Sequence, residues 1–430
     1  MADEAHRAIE AVWRIEQAKL IAGLARMVRD VGLAEELAQD ALVAALGQWP
    51  QAGVPDSPGA WLMSVAKRRA LDLFRRNKLL ARKHEELGRA LDAQQDMAGE
   101  ERDAALDDDV GDDLLRLIFT ACHPVIPSEA RVALTLRLLC GLTTEEIARG
   151  FLAPEPTVAQ RIVRAKRTLA AAGVPFESPR GADRAARLAS VLEVIYLIFN
   201  EGYAATSGEH WTRPQLCEEG LRLGRILAGR APDEAEVHGL LALMEIQASR
   251  LAARVDAAGE PILLLDQNRA RWDRVLIRRG LAGLARAEAL GGARGPYALQ
   301  AAIAACHARA NRPEETEWPR VAALYAALAQ VAPSPIVEVN RAVALAMAFG
   351  PATGLDVVDA LVGEPALKAY HLLPAVRGDL LLKLGRMDEA RMEFERAAAL
   401  TRNERERTLL LDRAAACVRG DDRDSSGALR

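Results

Sequence analysis

The sequence predicts an all-α protein, and three observations carry that prediction. Hydrophobic residues make up 50% of the 430 residues, whereas aromatic residues make up only 4%. Alanine, leucine, glutamate and arginine, which favour helices, dominate the chain. Almost no stretch alternates strictly between apolar and polar residues, as a half-buried strand would. At roughly 100–200 residues per domain, the chain is long enough for two or three domains.

Residues 1–77 predict a first helical module. Residues 33–46 (LAEELAQDALVAAL) show an acidic amphipathic helical pattern, and residues 48–60 (QWPQAGVPDSPGA) predict a loop. Residues 61–76 (WLMSVAKRRALDLFRR) predict a helix in which basic side chains alternate with apolar and aromatic ones. Trp61 is either a core anchor, which we favour, or a platform on which a base stacks.

The net charge of -4 conceals a strong local asymmetry. Residues 61–83 contain eight basic residues and one acidic residue, whereas residues 84–113 contain twelve acidic residues and two arginines. A basic segment is the usual electrostatic footprint of nucleic-acid contact, although a solvated face can carry the same charges. Residues 78–111 are predicted to form an acidic linker.

Residues 112–175 predict a second helical module, and its most informative part is residues 141–166 (GLTTEEIARGFLAPEPTVAQRIVRAK). Thr143 or Thr144 can cap a first short helix. Prolines at 154 and 156 suit the start of a second helix. That second helix places Val158 and Ile162 on an apolar side and several basic residues elsewhere. This is the layout of a helix-turn-helix, whose second helix lies in the DNA major groove. An ordinary amphipathic helical hairpin is the alternative.

The two modules, taken in this order, resemble the extracytoplasmic-function (ECF) RNA polymerase sigma factors of the sigma-70 family. Region 2 of that family typically reads DLVQEVFLRAW and then WLYRIARNRAIDLLRR, which residues 36–40 and 61–76 resemble. Region 4 typically reads GLSYEEIAEILGIPEGTVKSRLHRAR, and residues 141–166 align with it without a gap. Pro156 and the pair at 159–160 depart from the family pattern, which leaves the promoter sequence open.

The resemblance implies binding to polymerase and promoter DNA, and no catalysis. Residues of the acidic helix would bind the β′ clamp helices of core RNA polymerase, namely Glu36, Gln39 and Asp40. The residues on the opened −10 element would be Lys67, Arg68, Arg75 and Arg76. The residues at the −35 element would be Thr157, Gln160, Arg161, Arg164 and Lys166. The β flap is a second expected polymerase contact, and the acidic linker either follows the RNA path or is a plain tether.

Residues 182–430 predict a helical-repeat domain. Residues 380–400 (LLLKLGRMDEARMEFERAAAL) pair two helices around Gly385, with the Ala-x3-Phe spacing of tetratricopeptide repeats at Ala390 and Phe394. Weaker forms of the same repeat pattern occur around Gly350 and Gly292. An irregular helical bundle is the alternative to a repeat domain. Sigma factors with a tetratricopeptide-like C-terminal extension form a recognised group, which this chain resembles.

Two polar and aromatic segments, residues 198–221 and 266–272, stand out in this domain. We interpret the first as a regulatory interdomain contact that controls the sigma modules in cis. Its residues would be Tyr203, His210, Trp211 and Arg213. Ordinary packing with satisfied hydrogen bonds is the alternative. A small protein or a ligand is a candidate partner of this domain.

Several classes of function are disfavoured by the sequence. The five cysteines are scattered, which argues against a disulfide framework or a metal site, and no cofactor is expected. No nucleophile set or phosphate loop supports an enzyme. Without an 18-residue apolar span or a signal peptide, the protein is expected to be cytoplasmic and to have no membrane contact. A helix-turn-helix transcription regulator that never binds polymerase remains the alternative function.

Overall fold

The computed structural model describes residues 2–88, 110–151 and 153–425. Within these ranges the chain forms 18 α-helices, four short 3-10 helices and one pair of two-residue strands. The predicted all-α fold class is therefore confirmed. By packing, the chain divides into two compact units, Met1–Val194 and Ile195–Arg430. Most of the predicted acidic linker, residues 89–109, lies outside the described residues.

The described part of the first unit contains seven complete helices and the beginning of an eighth. They are α1 (Ala2–Val28), α2 (Val31–Ala52), α3 (Pro58–Gly88), α4 (Val110–Ala121), α5 (Ser128–Leu139), α6 (Thr144–Phe151), α7 (Glu155–Ala171) and α8 (Gly181–Tyr203). Helices α1, α2 and α3 pack together through small side chains. Ala38, Ala41 and Ala45 of α2 are fully buried, as are Leu24 of α1 and Leu62 of α3. Alanines on this face let the three helices approach closely.

The loop predicted over residues 48–60 is shorter than expected. Helix α2 continues to Ala52 and α3 already begins at Pro58. The physical reason is Trp49, which is only 2% exposed and meets the ring of Trp61 edge-on at 5.3 Å. Burying this large aromatic side chain stabilises the extra helical turn. Trp61 is thus a packing partner of Trp49, in keeping with the favoured core role.

Helices α4 to α7 form the second module, with Leu134, Ile147 and Leu169 among its buried residues. The first half of α8 packs on this module. The Arg187 guanidinium donates to the backbone carbonyl of Phe119 at 3.0 Å, and Ser190 donates to the carbonyl of Cys122. These contacts explain why the first compact unit extends to Val194, beyond the boundary predicted near residue 182.

The second unit contains the rest of α8, ten further helices and both strands among its described residues. The helices are α9 (Pro214–Arg230), α10 (Ala235–Ala248), α11 (Arg274–Ala289), α12 (Pro296–Arg309), α13 (Trp318–Val331), α14 (Pro335–Phe349), α15 (Pro351–Leu361), α16 (Leu372–Lys383), α17 (Met387–Leu400) and α18 (Glu404–Ser425). The strands are β1 (Ser207–Gly208) and β2 (Arg402–Asn403), and the 3-10 helices are Leu251–Ala253, Arg269–Arg271, Pro313–Glu315 and Pro365–Leu367. From α9 onward, each helix packs against the next along the chain, as in a helical repeat.

The predicted repeat signature lies where the sequence placed it. Gly385 joins α16 to α17 with a φ of +77°, a conformation that favours glycine. Ala390 and Phe394 are fully buried, and the Phe394 ring lies against Gly378 so closely that an added Cβ would be 3.0 Å from it. Gly350 joins α14 to α15 with a φ of +103°. The weaker repeat pattern around Gly350 is therefore also a helix pair.

The two strands join the beginning of the second unit to its end. Strands β1 and β2 pair in parallel, with Ser207 opposite Arg402. Next to them, the buried Asn403 side-chain amide donates to the carbonyl of Ala205 at 3.1 Å and to that of His210 at 2.9 Å. The segment between α8 and α9 is thereby held against the start of α18.

Candidate nucleic-acid and polymerase interface

The helix-turn-helix begins with a reciprocal cap. Thr143 Oγ1 accepts a hydrogen bond from the backbone N–H of Glu146 at 3.1 Å, and the Glu146 carboxylate accepts one from the N–H of Thr143 at 2.8 Å. This capping box satisfies two N–H groups and fixes the start of α6. In the following helix, α7, Val158 and Ile162 are buried as predicted. The opposite face of α7 is left for other contacts.

That opposite face carries most of the residues predicted at the −35 element. Gln160 and Arg164 are exposed one turn apart, and Thr157 is partly exposed in the first turn of the helix. Arg161 forms an ion pair with Glu129 of α5. Glutamine and arginine on an exposed helix face are suited to hydrogen bonding with base edges in a major groove.

Lys166, on the same helix, is engaged within the first unit. Its ammonium forms an ion pair with Glu35 of α2, and its side chain is mostly buried. The predicted contact of Lys166 with the −35 element would require this ion pair to open. The pair therefore connects the helix predicted to read the −35 element with the helix predicted to bind polymerase.

Glu35 is the centre of a buried polar network between α2, α5 and α7. Its side chain is 3% exposed. Arg137 Nε donates to Glu35 Oε1 at 2.7 Å, and Gln39 Nε2 donates to the same oxygen at 2.8 Å. Gln17 of α1 adds a hydrogen bond to the backbone carbonyl of Arg137 at 2.9 Å. Because a buried carboxylate is costly unless paired, these partners account for its presence in the interior.

Glu35 is not among the residues predicted from the sequence, although the sequence carries a signal for it. Glu35 follows the buried Val31 by four residues and precedes the buried Ala38 by three, so it lies on the apolar face of α2. An acidic residue on an apolar face predicts a buried charge. The pattern could not identify the cations, because Arg137 and Lys166 come from distant parts of the chain.

The three residues predicted to bind core polymerase differ in their exposure and in their side-chain partners within the fold. Glu36 is exposed, and no ion pair of Glu36 occurs among the described residues. Asp40 is exposed but pairs with Arg69 of α3 at 2.9 Å. Gln39 is partly exposed and donates to Glu35. Glu36 is therefore the member of this set that can be changed with the least effect on the fold.

Helix α3 presents the residues predicted at the −10 element. Arg68, Arg75 and Arg76 are exposed, and Lys67 is partly exposed. Between them, Leu71 is 50% exposed and Phe74 is 41% exposed. A basic surface that also offers an apolar and an aromatic side chain suits a single strand, whose bases stack while its phosphates are neutralised.

The residues predicted at a regulatory interdomain contact are Tyr203, His210, Trp211 and Arg213. Of these, Tyr203, Trp211 and Arg213 have side-chain partners inside the second unit. The Arg213 guanidinium pairs with Glu201. The guanidinium carbon of Arg254 lies 3.8 Å from the ring centroid of Tyr203 and 5.6 Å from that of Trp211. His210 is exposed. A role between the domains stays a prediction.

The second polar and aromatic segment, residues 266–272, is largely a packing element. Arg269 and Trp272 are buried. Arg269 Nη1 donates to the backbone carbonyls of His307 at 2.9 Å and Ala310 at 2.8 Å. For this segment the packing alternative accounts for the observed contacts.

In the parts of the chain that the structure describes, no group of three or more histidine, cysteine, aspartate and glutamate side chains could hold a metal ion. Cys122 lies 3.4 Å from the Thr135 hydroxyl, and burial raises the pKa of its thiol to about 11, so it is protonated at neutral pH. No helix in the same ranges is sufficiently long and apolar to span a membrane.

Comparison with known proteins gives matches to both predicted modules. Residues 14–79 match Sigma-70 region 2, and residues 116–169 match Sigma-70, region 4. Residues 187–288 match a family of unknown function (DUF6596). An uncharacterized protein of Rhizobium meliloti (strain 1021) is 45% identical over 381 residues, which cover 88% of this chain and 89% of that protein.

Among solved structures, that of yeast Tom70 aligns with 98% of this chain and 85% of its own, at 10% identity and a TM-score of 0.31. The family matches are the informative ones, because regions 2 and 4 occur in the expected order. They fall on the helices that present the exposed basic surface of α3 and the polar face of α7. The chain therefore belongs to the sigma-70 family, as an ECF-like sigma factor with a C-terminal helical-repeat domain.

Proposed function

We propose that this protein is a transcription initiation factor that binds core RNA polymerase through α2 and directs it to promoters. Helix α3 would hold the −10 element, and α7 would read the −35 element. The observation that supports this proposal is the joint match to regions 2 and 4, with exposed basic residues on the matching helices. Such a factor works by binding and strand separation, and it needs no catalytic group.

Run-off transcription with purified core polymerase tests the proposal. The protein should direct transcripts from its own promoter, and core polymerase alone should not. The alternative, a helix-turn-helix regulator without polymerase binding, predicts duplex DNA binding by the protein alone and no association with core. A titration of core polymerase with the labelled protein separates the two functions.

The polymerase contact can be tested at Glu36. We expect Glu36→Lys to weaken the affinity for core polymerase by about tenfold or more, because a like-charge contact replaces a complementary one. Gln48→Lys is the control, since it places a lysine at another exposed position of the same helix. It changes the net charge by one unit, whereas Glu36→Lys changes it by two. Equal affinities of the two variants would remove Glu36 from the interface. Gln39 and Asp40 are less suitable, because both have partners in the fold.

We also propose that the C-terminal domain regulates the sigma modules in cis. The two units share α8, which begins in the first unit and ends in the second. A partner held on the same chain has a high effective concentration, so even a weak contact would suffice. Trp211 and Arg213 near this helix, together with Tyr203 and His210, remain our candidates for that contact.

A chain that ends after Val194 tests control in cis. A cut near Pro179 is unsuitable, because it would also remove Arg187 and Ser190, which bond to the second module. His210→Glu in the full-length chain is the companion variant, since His210 is exposed. A gain or a loss of promoter opening in the truncated chain would support regulation. Equal core binding, promoter opening and transcription under inducing and resting conditions would refute it.

A further inference from the structure

All five tyrosines of the chain lie in the second unit, on three helices and one turn that are distant from one another in the sequence. The rings of Tyr196 and Tyr297 are 5.7 Å apart. Burial raises the pKa of Tyr325 to about 12, and the nearby Tyr196 and Tyr370 hydroxyls raise it further while Arg250 lowers it. The Tyr203 ring stacks on Phe199. Helices α8, α12 and α13 and the turn before α16 thus contribute to one tyrosine-rich region.

Two arginines that flank the 3-10 helix Leu251–Ala253, just after α10, lie against this region. The guanidinium carbon of Arg254 is 3.8 Å from the ring centroid of Tyr203. That of Arg250 is 5.7 Å from the ring centroids of both Tyr203 and Trp272, and Arg250 is only 9% exposed. Both cations therefore face one tyrosine ring from positions four residues apart. They form, with the five tyrosines, what we call the arginine–tyrosine cluster.

The two arginines of the arginine–tyrosine cluster have no counter-charge among the described residues. Neither forms an ion pair with a carboxylate there, and the buried Nε atoms of both have no hydrogen-bond acceptor. Arg213, in the same unit, shows the usual arrangement, since it pairs with Glu201. Buried arginines are rare unless paired. The Tyr203 ring interacts favourably with both guanidinium groups, but the Nε–H group of each still needs an acceptor.

The charges of Arg250 and Arg254 also oppose each other. Burial lowers the pKa of Arg254, the Tyr203 hydroxyl raises it, and the positive charge of Arg250 lowers it. His307, at the same side, is a buried neutral group and brings no negative charge. An anion placed between the two guanidinium groups would relieve the repulsion and accept hydrogen bonds from their N–H groups. Carboxylates and phosphates fit the forked geometry of arginine best.

We propose that the arginine–tyrosine cluster binds a small anion that bears a carboxylate or phosphate group, held by Arg250 and Arg254 beside the Tyr203 ring. The pairing of β1 with β2 joins the two ends of this unit, which favours a small ligand over an extended chain lying along an open edge. The proposal concerns binding to the second unit alone. It holds whether or not the unit controls the sigma modules.

Isothermal titration of the full-length protein tests this proposal. Inorganic phosphate and citrate are the two probes, each measured at constant ionic strength against a chloride reference, and they distinguish a phosphate site from a carboxylate site. At least one probe should bind saturably. Arg250→Gln and Arg254→Gln should each weaken it by about tenfold or more, because each removes a charge-assisted hydrogen bond. Arg278→Gln is the matched control, since Arg278 is exposed on α11.

The control also accounts for phosphate bound elsewhere, for example on α7, because such binding would be equal in all variants. If Arg250→Gln does not fold by circular dichroism, Arg254→Gln and the charge-conserving Arg254→Lys carry the test. Arg254→Lys should bind more tightly than Arg254→Gln. The proposal is overturned if neither probe binds saturably, or if the glutamine variants bind as the wild type does.

Discussion

A buried carboxylate, Glu35, joins helices of the two sigma modules. Glu35 lies in the interior of the first unit and has cationic partners from two other helices, Arg137 of α5 and Lys166 of α7. A network of this kind adds little stability as a whole, because burying the charges is costly. Removing one member of the network lowers the stability, since the remaining charges are left without their partner.

We therefore expect Glu35→Gln to lower the free energy of unfolding of the first unit by about 2 kcal/mol. The loss stays moderate because the side chains of Arg137 and Lys166 retain some contact with water. Urea unfolding at neutral pH provides the measurement. Glu36→Gln, one residue away and exposed, should change stability by less than about 0.5 kcal/mol. If the two variants lose the same stability, the network around Glu35 does not hold the modules together.

A second residue gives the protein a predictable response to pH. Burial, together with the positive charges of Arg250 and Arg269, lowers the pKa of His307 to about 4. A histidine in the unfolded chain titrates near pH 6.5. Between about pH 6.5 and about pH 4, His307 is therefore protonated in the unfolded chain and neutral in the folded one. The stability that the neutral imidazole contributes is present above pH 6.5 and is lost as the pH falls towards 4.

For the wild type we expect the free energy of unfolding to be about 2 kcal/mol lower at pH 5 than at pH 7 because of this histidine. His307→Asn should lose correspondingly less over the same interval. Urea unfolding followed by tryptophan fluorescence at both pH values provides the comparison, with Trp318 only 5.2 Å from the imidazole ring. An identical loss in both proteins would contradict the assignment of this pH response to His307.

At the scale of elements, α7 has two functional sides. Val158 and Ile162 anchor it to its module, whereas Gln160 and Arg164 face solvent. Arg161 forms an ion pair with Glu129. Arg164, the other arginine predicted at the −35 element, is exposed and has no ion pair among the described residues. Helix α7 should therefore read bases mainly through Gln160 and Arg164.

Arg164→Ala should cost about 1–3 kcal/mol of binding at one −35 base pair and little at the others, because a base contact is specific to its position. Arg167→Ala is the control, since this exposed residue lies one turn further along α7. It should lower affinity evenly on all sequences and reduce the salt dependence. Fluorescence anisotropy of the holoenzyme on promoters changed one base pair at a time provides the test. If both variants behave alike on every promoter, α7 does not read bases through Arg164.

At the scale of the whole molecule, the packing of the first unit conflicts with simultaneous reading of both promoter elements. The elements are about 25 base pairs apart, which is about 85 Å of B-DNA at about 3.4 Å per base pair. The 31-residue α3 is only about 46 Å long at about 1.5 Å per residue. While Lys166 contacts Glu35, α7 lies directly against α2. We infer that the first unit opens when it binds polymerase and promoter.

A disulfide can test this opening. A Cβ on Gly32 of α2 would lie 3.8 Å from the Cβ of Lys166, which is about the mean separation in disulfides. We expect the double variant Gly32→Cys, Lys166→Cys to form a disulfide when oxidised. The oxidised protein should lose promoter-directed transcription and regain it on reduction, because the lock keeps α2 and α7 together.

The two single variants, treated with the same oxidant, are the controls for the loss of Lys166 and for the native cysteines. Four of the native cysteines are buried and Cys140 is partly exposed. Mass spectrometry of the digested protein verifies the intended bond. Equal transcription by the oxidised and reduced double variant would show that opening of the first unit is not required.

The sequence by itself determined the features that depend on neighbouring residues. The cap formed by Thr143 and Glu146 and the buried face of Val158 and Ile162 were predictable, because both follow from spacings of three or four residues within a helix. The same holds for the helix pair with Phe394. The resemblance that led to the sigma-70 family also rests on such continuous segments. Features of this kind depend only on residues that are close together in the sequence.

Only the tertiary structure decided which distant groups meet. Glu35 is recognisable as an acid on an apolar face, but Arg137 and Lys166 are more than 100 residues away along the chain. Arg250 and Arg254 are likewise ordinary basic residues in the sequence. Only folding places the buried Arg250 and the half-buried Arg254 against aromatic rings without a carboxylate. Burial and the identity of a partner depend on how helices pack, and packing depends on the whole chain at once.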